Sequence, residues 1–340
     1  MKLPIIPSRR LAVLAGIALG TPAFAVVSID YVTVGDINNA NDAATGGLYG
    51  AVGYEYKISK NETTISQYAA FLNAVAKTDT YALYNTSMQT NANISGIQRI
   101  GTSGDYSYTV LGSGNRPITY VSWFDAARFT NWLHNGQTTG AQNASTTEDG
   151  AYTLNGATSG VGSSKNVGAT VWLPSENEWY KAAYYDPNKG GPGVGGYWAQ
   201  ATQSNTINSN TVGAAGAANY FDSTDFAVTQ SGSYSSSQNY LTDVGAYGPN
   251  SESAYGTNDQ AGNVFEWNDA VVFGSTRGMR GGSWANNSDS LPASKSNVNT
   301  PPNELDYVGF RVASVPEPSA LLLTVLSASA LLTRRRRFTL

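Results

Sequence analysis

The sequence contains no cysteine and a single histidine, His134. The first absence excludes disulfides, thiolate metal sites and a cysteine nucleophile. The second excludes an iron, copper or zinc centre built from several imidazoles. Charge is also scarce, with Asp, Glu, Lys and Arg making up 13% of the 340 residues. Seven of the 20 basic residues lie at the extreme ends (Lys2, Arg9, Arg10 and residues 334–337), whereas only one acid, Glu317, does. The stretch 26–315 therefore carries 13 basic against 23 acidic side chains, a net charge of −10. Such a surface repels nucleic acid and anionic membrane and tolerates divalent cations. No G-x-S-x-G elbow accompanies His134, which precedes Asn135-Gly136 where a helix would end, so a Ser/His/Asp triad has little to stand on.

What the chain does have is Gly (36) and Tyr (21), with abundant Ser, Thr and Asn, a composition that suits loop-rich extracellular proteins. Its ends read as addresses. Lys2, Arg9 and Arg10, the apolar run at 11–20 and Ala23-Phe24-Ala25 make a secretory signal over residues 1–25. At the other end come Val315-Pro316-Glu317-Pro318, an apolar run at 319–333, and four arginines. The run is shorter than the ~20 residues of a full span, and the basic cluster would stay on the cytoplasmic side. This tail, residues 315–340, resembles the PEP-CTERM sorting signal. The resemblance implies an exosortase partner, transient membrane insertion and a final location at the cell surface or outside it; the alternative is a simple membrane anchor.

Between the ends the patterning gives few helices and many short strands. Runs at 29–34 and 54–58 are strand-like. Ile65, Tyr68, Phe71, Leu72 and Val75 fall at helical spacing behind a Thr64/Gln67 capping box. A hairpin is expected within 77–114. Residues 116–133 read as a strand entering a helix capped by Ser122, with Trp123 and Trp132 in the core. Ser175 and Glu178 form another capping box, so Glu176 and Glu178 serve as capping and dipole groups rather than as a catalytic pair; two apart, they do not share a helix face. Residues 135–170 and 184–254 are irregular. In residues 255–268, Asp259 and Glu266 flank a glycine turn, and Phe265 and Trp267 alternate with Glu266 as in a half-buried strand. A carboxylate-flanked turn of this kind offers oxygen ligands to a hard cation such as calcium.

The chain from about residue 53 to 313 resembles the formylglycine-generating enzyme, or sulfatase-modifying factor, family. The resemblance rests on Gly262-Asn263-Val264-Phe265-Glu266-Trp267, then Arg280-Gly281-Gly282-Ser283-Trp284, then Gly309-Phe310-Arg311, in the family's order and spacing. It implies an α+β, loop-rich version of the C-type-lectin-like fold over residues 26–314; periodicity alone gives only α+β. It also implies a calcium site at Asp259, Gly262, Val264 and Glu266, the two middle residues contributing carbonyls. Asn219 and Tyr220 stand where the family's first calcium site begins, but the equivalent of its second half, 231–239, offers no carboxylate.

Family enzymes oxidise a sulfatase cysteine with copper and oxygen, the copper being held by two thiolates after the R-G-G-S block. Asn286 and Leu291 stand at those positions, so copper is not expected and no catalytic residue is assigned. Arg280, Trp284 and Arg311 are candidates for a ligand cleft; for the arginines and Glu266, internal salt bridges are the alternative. The resulting expectation is an exported domain that binds a glycan, peptide or envelope protein without catalysis. Its rivals are an oxidoreductase with an unrecognised metal site and a purely structural envelope protein.

Overall fold

The computed structural model describes residues 26–316. The secretory signal and all of the sorting tail beyond Pro316 lie outside the described residues. Among the described residues no helix is long and apolar enough to cross a membrane.

In chain order the elements are β1 (Tyr31–Val34), β2 (Tyr56–Ser59), α1 (Ile65–Val75), α2 (Ser87–Thr90), β3 (Ile97–Ile100), β4 (Ser107–Val110), α3 (Trp123–His134), β5 (Val171–Trp172), α4 (Glu176–Tyr184), β6 (Tyr185–Asp186) and β7 (Gly196–Tyr197). After a long irregular stretch come β8 (Phe265–Val272), β9 (Thr276–Arg280), β10 (Asn297–Asn299), β11 (Val308–Phe310) and β12 (Ala313–Ser314). The three long helices start where their caps dictate. In each, the Ser or Thr oxygen accepts from the third residue on, whose side chain accepts in return from the cap's own N–H: Thr64 with Gln67, Ser122 with Asp125, Ser175 with Glu178.

Two four-stranded sheets organise the chain, in the orders β1-β2-β12-β5 and β10-β9-β8-β11. In the first, β12 lies antiparallel between β2 and β5, so the two ends of the domain close on each other. In the second, β11 runs parallel to β8 with Gly309 opposite Glu266, and β9 runs antiparallel with Arg280 opposite Glu266. Helices α1 and α3 bury their apolar faces together. Rings at edge-to-face distances link α1 to α3 and to β11: Phe71 to Phe129 at 5.4 Å and Phe129 to Phe310 at 5.4 Å. Trp123 and Trp132 are core residues, as the spacing predicts.

Three local expectations change. Residues 116–121 form no strand, only an isolated bridge between Pro117 and Thr64. Proline lacks the N–H a ladder needs, and the segment spends its remaining groups on single contacts: Ile118 N–H to the Thr63 carbonyl and Tyr120 N–H to the Leu305 carbonyl. The four-residue α2 had no periodicity to announce it. The start of β8 is not half-buried, since Glu266 and Asn268 are as enclosed as Phe265 and Trp267. A strand buried on both faces can carry a charge only where the charge is paired, which proves to be so.

Asp125, buried at the start of α3, sets a pH dependence. Burial, then the neighbouring Glu304, raise its carboxyl from 3.8 to about 7 against hydrogen bonds from Ser122. Between those two values the folded chain holds a proton that the unfolded chain has lost. Stability contributed by this group is therefore present below about pH 4 and lost as pH rises to about 7. Urea midpoints at pH 5 and 7 should show a smaller fall in Asp125→Asn than in the wild type; an unchanged fall would remove Asp125 as a source.

Candidate functional site

The three signature segments meet at one place. Gly262 and Asn263 both take left-handed backbone angles (φ 81° and 60°), as do Gly281 and Gly282 (φ 101° and 75°). The turns interlock through Gly262 N–H to the Gly281 carbonyl (2.8 Å) and Trp284 N–H to the Asn263 carbonyl (2.9 Å). Asn219 lies against them, its carbonyl accepting from Asn263 N–H (2.8 Å) and its side-chain amide donating to the Tyr240 carbonyl and to Asn263 Oδ1. A Cβ at Gly262 would overlap the Asn219 carbonyl, so this approach requires glycine. Tyr220 is buried beside it among Trp179, Tyr180 and Tyr184.

Beneath the turns sits a fully buried ion pair. Arg311 donates from Nε and Nη2 to the two oxygens of Glu266 (2.6 and 2.8 Å), and Trp179 Nε1 donates to the same carboxylate (2.7 Å). The remaining Arg311 bonds reach the carbonyls of Ser59, Lys60 and Asn258. Gly309, opposite Glu266, leaves room there: a Cβ would press on the Ile118 carbonyl and on Val264 Cγ2. Glu62 completes the cluster, accepting from Asn263 Nδ2 (2.8 Å) and Val264 N–H (3.2 Å). Burial, then repulsion from Asp259 and Glu266, push the Glu62 carboxyl well above its usual range, with Arg311 working against them. Asp259 accepts from Gly245 N–H (2.6 Å), and burial raises its carboxyl to about 6. Nothing in the sequence singles out Glu62; the available signal was an acid just ahead of the Thr64 cap.

Arg280 and Arg311 are buried. Arg280 pairs with Glu176, holds the carbonyls of Ala293 and Lys295, and lies over the ring of Tyr180. Glu176 and Trp179, three apart on α4, thus meet Arg280 and Glu266 on the sheet. Glu178 is a cap and takes bonds from Trp172 Nε1 and the Tyr54 hydroxyl. Both acids therefore serve structure, and the salt-bridge alternative describes the arginines. Trp284 is also nearly covered, stacked on Tyr240 (5.0 Å, 3° between planes), which stacks in turn on the exposed Tyr234 (5.8 Å, 11°). That aromatic pile was not foreseen; its signal was two tyrosines in a serine-rich loop. His134 hydrogen-bonds Thr170 and faces no serine–aspartate pair.

Asn286 and Leu291, which the family resemblance places at the copper thiolates, are both engaged in packing or hydrogen bonds. Leu291 is fully buried against Trp179, Tyr180 and Tyr184, and a Cβ at Gly282 would lie 2.6 Å from its Cδ2. Asn286 Oδ1 accepts the Ser283 hydroxyl (2.5 Å), and its carbonyl takes Phe221 N–H. An aliphatic side chain and an engaged amide do not fit Cu(I), which takes soft sulfur. Among the described residues no group of three or more His, Asp or Glu is disposed to hold a metal ion; the calcium expectation draws on two carboxylates and two carbonyls.

A scan against protein families matches residues 50–315 to the sulfatase-modifying factor enzyme 1-like domain. The chain belongs to that family. Ahead of the matched residues, β1 pairs with β2 inside them. A search of curated proteins found no match. Among solved structures, variable protein 1 of Treponema denticola is 19% identical, with 87% of this chain and 100% of that chain covered and a TM-score of 0.50. The crystal structure of CarF is 19% identical over 86% of this chain and 100% of its own, with a TM-score of 0.45. PvdO from Pseudomonas aeruginosa is 17% identical over 78% of this chain and 83% of its own, with a TM-score of 0.42. The domain is α+β and loop-rich, the sulfatase-modifying-factor version of the C-type-lectin-like fold. Likeness at these identities concerns the fold and transfers no activity.

Proposed function

We propose that this chain is an exported, surface-sorted sulfatase-modifying-factor domain that binds an envelope or matrix partner and does not carry out the family's oxidation. The observation that carries the reading is Leu291. Its side chain is packed into an apolar cluster at the position of a copper thiolate. With Asn286 tied to Ser283, neither position offers Cu(I) a ligand. Among the described residues the domain nevertheless has four buried ion pairs and three capped helices that hold its long loops. Loops rich in Tyr, Asn and Ser bind by stacking and hydrogen bonding at modest entropy cost. The sequence signals at the two ends supply the address: export, handling by an exosortase, and release or retention at the surface. Oxygen uptake with a cysteine-containing sulfatase peptide and added copper tests the reading. No turnover is expected, and measurable formylglycine would overturn it.

Calcium is proposed as a structural ion at Asp259, the Gly262 and Val264 carbonyls and Glu266. These are hard oxygen donors. Asp259 and Glu266 both act on the single guanidinium of Arg311, and a divalent cation would add a second positive charge beside them. The ion would share Glu266 with Arg311, so removing Glu266 also strands the arginine and confuses the test. Asp259→Asn keeps that pair. Calcium should raise the melting temperature of the wild type and leave Asp259→Asn unmoved; no rise in the wild type would sink the assignment.

A further inference from the structure

A cavity of about 480 Å³ opens between the loop at 111–116 and the irregular stretch 211–246, away from Asn286 and Leu291. Its polar side chains are satisfied by one another. The Thr211 hydroxyl donates to Gln230 Oε1, and Gln230 Nε2 donates to Asn210 Oδ1 and the Ala227 carbonyl. The Ser113 hydroxyl donates to Asp243 Oδ1. Arg116 is the exception, because its Nε is buried without a hydrogen-bond partner. Arg116 is half-buried and has no carboxylate partner, whereas among the described residues each of the four fully buried arginines has one: Arg128 has Glu148, Arg277 has Asp269, Arg280 has Glu176 and Arg311 has Glu266. The enclosed Nε is out of a ligand's reach, so the part of Arg116 that a ligand in the cavity would meet is its pair of terminal nitrogens, which no carboxylate of this chain neutralises.

We infer that this cavity is a binding site for a carboxylate-bearing sugar, a uronic acid residue of a glycan. The two terminal nitrogens of Arg116 form a planar fork that matches a carboxylate. Asp243 Oδ2, which Ser113 leaves free, and the second lone pair of Gln230 Oε1 can accept from ligand hydroxyls, which a simple organic acid lacks. Leu241, Val228 and Val212 supply an apolar wall for the face of a pyranose ring, and the volume suits one or two such rings. A net charge of −10 over residues 26–315 works against a bound anion. The recognition must therefore be local, and Arg116 is the group placed to supply it.

The inference deepens the binding reading and rests on it. Its test is calorimetric titration of the full chain with digalacturonate, with digalactose and acetate as controls. Digalacturonate should bind at least tenfold more tightly than either control. Arg116→Met should lose at least tenfold in affinity, and Arg116→Lys should lose less, with thermal unfolding unchanged in both. Asp243→Asn should weaken digalacturonate severalfold and leave acetate unaffected. Equal binding of digalacturonate and digalactose, equal binding of digalacturonate and acetate, or undiminished affinity in Arg116→Met would each overturn the assignment. No digalacturonate binding by the wild type would overturn it too, and binding of another partner in the same assay format would then leave the broader reading standing.

Discussion

Arg311→Met is expected to destabilise the folded chain by about 3–5 kcal/mol, the range for breaking a buried ion pair by removing one partner. The loss is large because Glu266 then remains charged, enclosed and held by Trp179 alone. It also frees three carbonyls, on Ser59, Lys60 and Asn258, that Arg311 ties together from distant parts of the chain. Burial by itself would lower the affinity of the guanidinium for its proton, yet facing Glu266, Glu62 and Asp259 it ends above its ordinary value. Equilibrium urea unfolding measures the effect. The double variant Glu266→Gln, Arg311→Met should be less destabilised than the sum of the two single variants, because it leaves no stranded charge. Strict additivity would mean that the pair is not coupled and that the motif is held together in another way.

Gly262→Ala should be nearly as damaging, costing about 3 kcal/mol or more, as the sum of left-handed strain and overpacking. The new methyl group would strike the Asn219 carbonyl, which is itself bonded to Asn263. Gly256→Ala is the comparison that separates the two terms. Gly256 has the same kind of backbone angle, φ 83°, but its nearest neighbour to a Cβ is a Glu252 oxygen at 3.7 Å. It should cost only the strain, about 1–2 kcal/mol. Similar losses at the two glycines would show that the close contact of the Asn219 segment with the signature turn contributes nothing.

These two sites mark the boundary of what the sequence made legible. Local rules were visible. Thr64 with Gln67, Ser122 with Asp125 and Ser175 with Glu178 announced three helices at their first residues, because a cap acts over three positions. The signature glycines announced tight backbone, though not what pressed on them. Long-range pairing was invisible. Nothing near Glu62 says that it will reach across two hundred positions to Asn263 and Val264, and nothing near Pro316 says that β12 will close the sheet against β2. The half-buried reading of β8 failed for the same reason: Glu266 looked like a solvent-facing residue because its partner, Arg311, lies 45 positions away. For Arg280 and Arg311 the sequence left a ligand cleft and an internal salt bridge both open, because an arginine in a motif reads the same whether it meets a ligand or a carboxylate of its own chain. Arg116 shows the converse: only the packed structure reveals which arginine lacks a partner.

Loss of the family's copper chemistry should be visible in the metal content of the purified chain. Elemental mass spectrometry after purification in buffers supplemented with copper, iron and calcium is expected to find copper and iron far below one per chain. Stoichiometric copper or iron surviving gel filtration would contradict the account, because it would require a redox site that Leu291 and Asn286 do not provide.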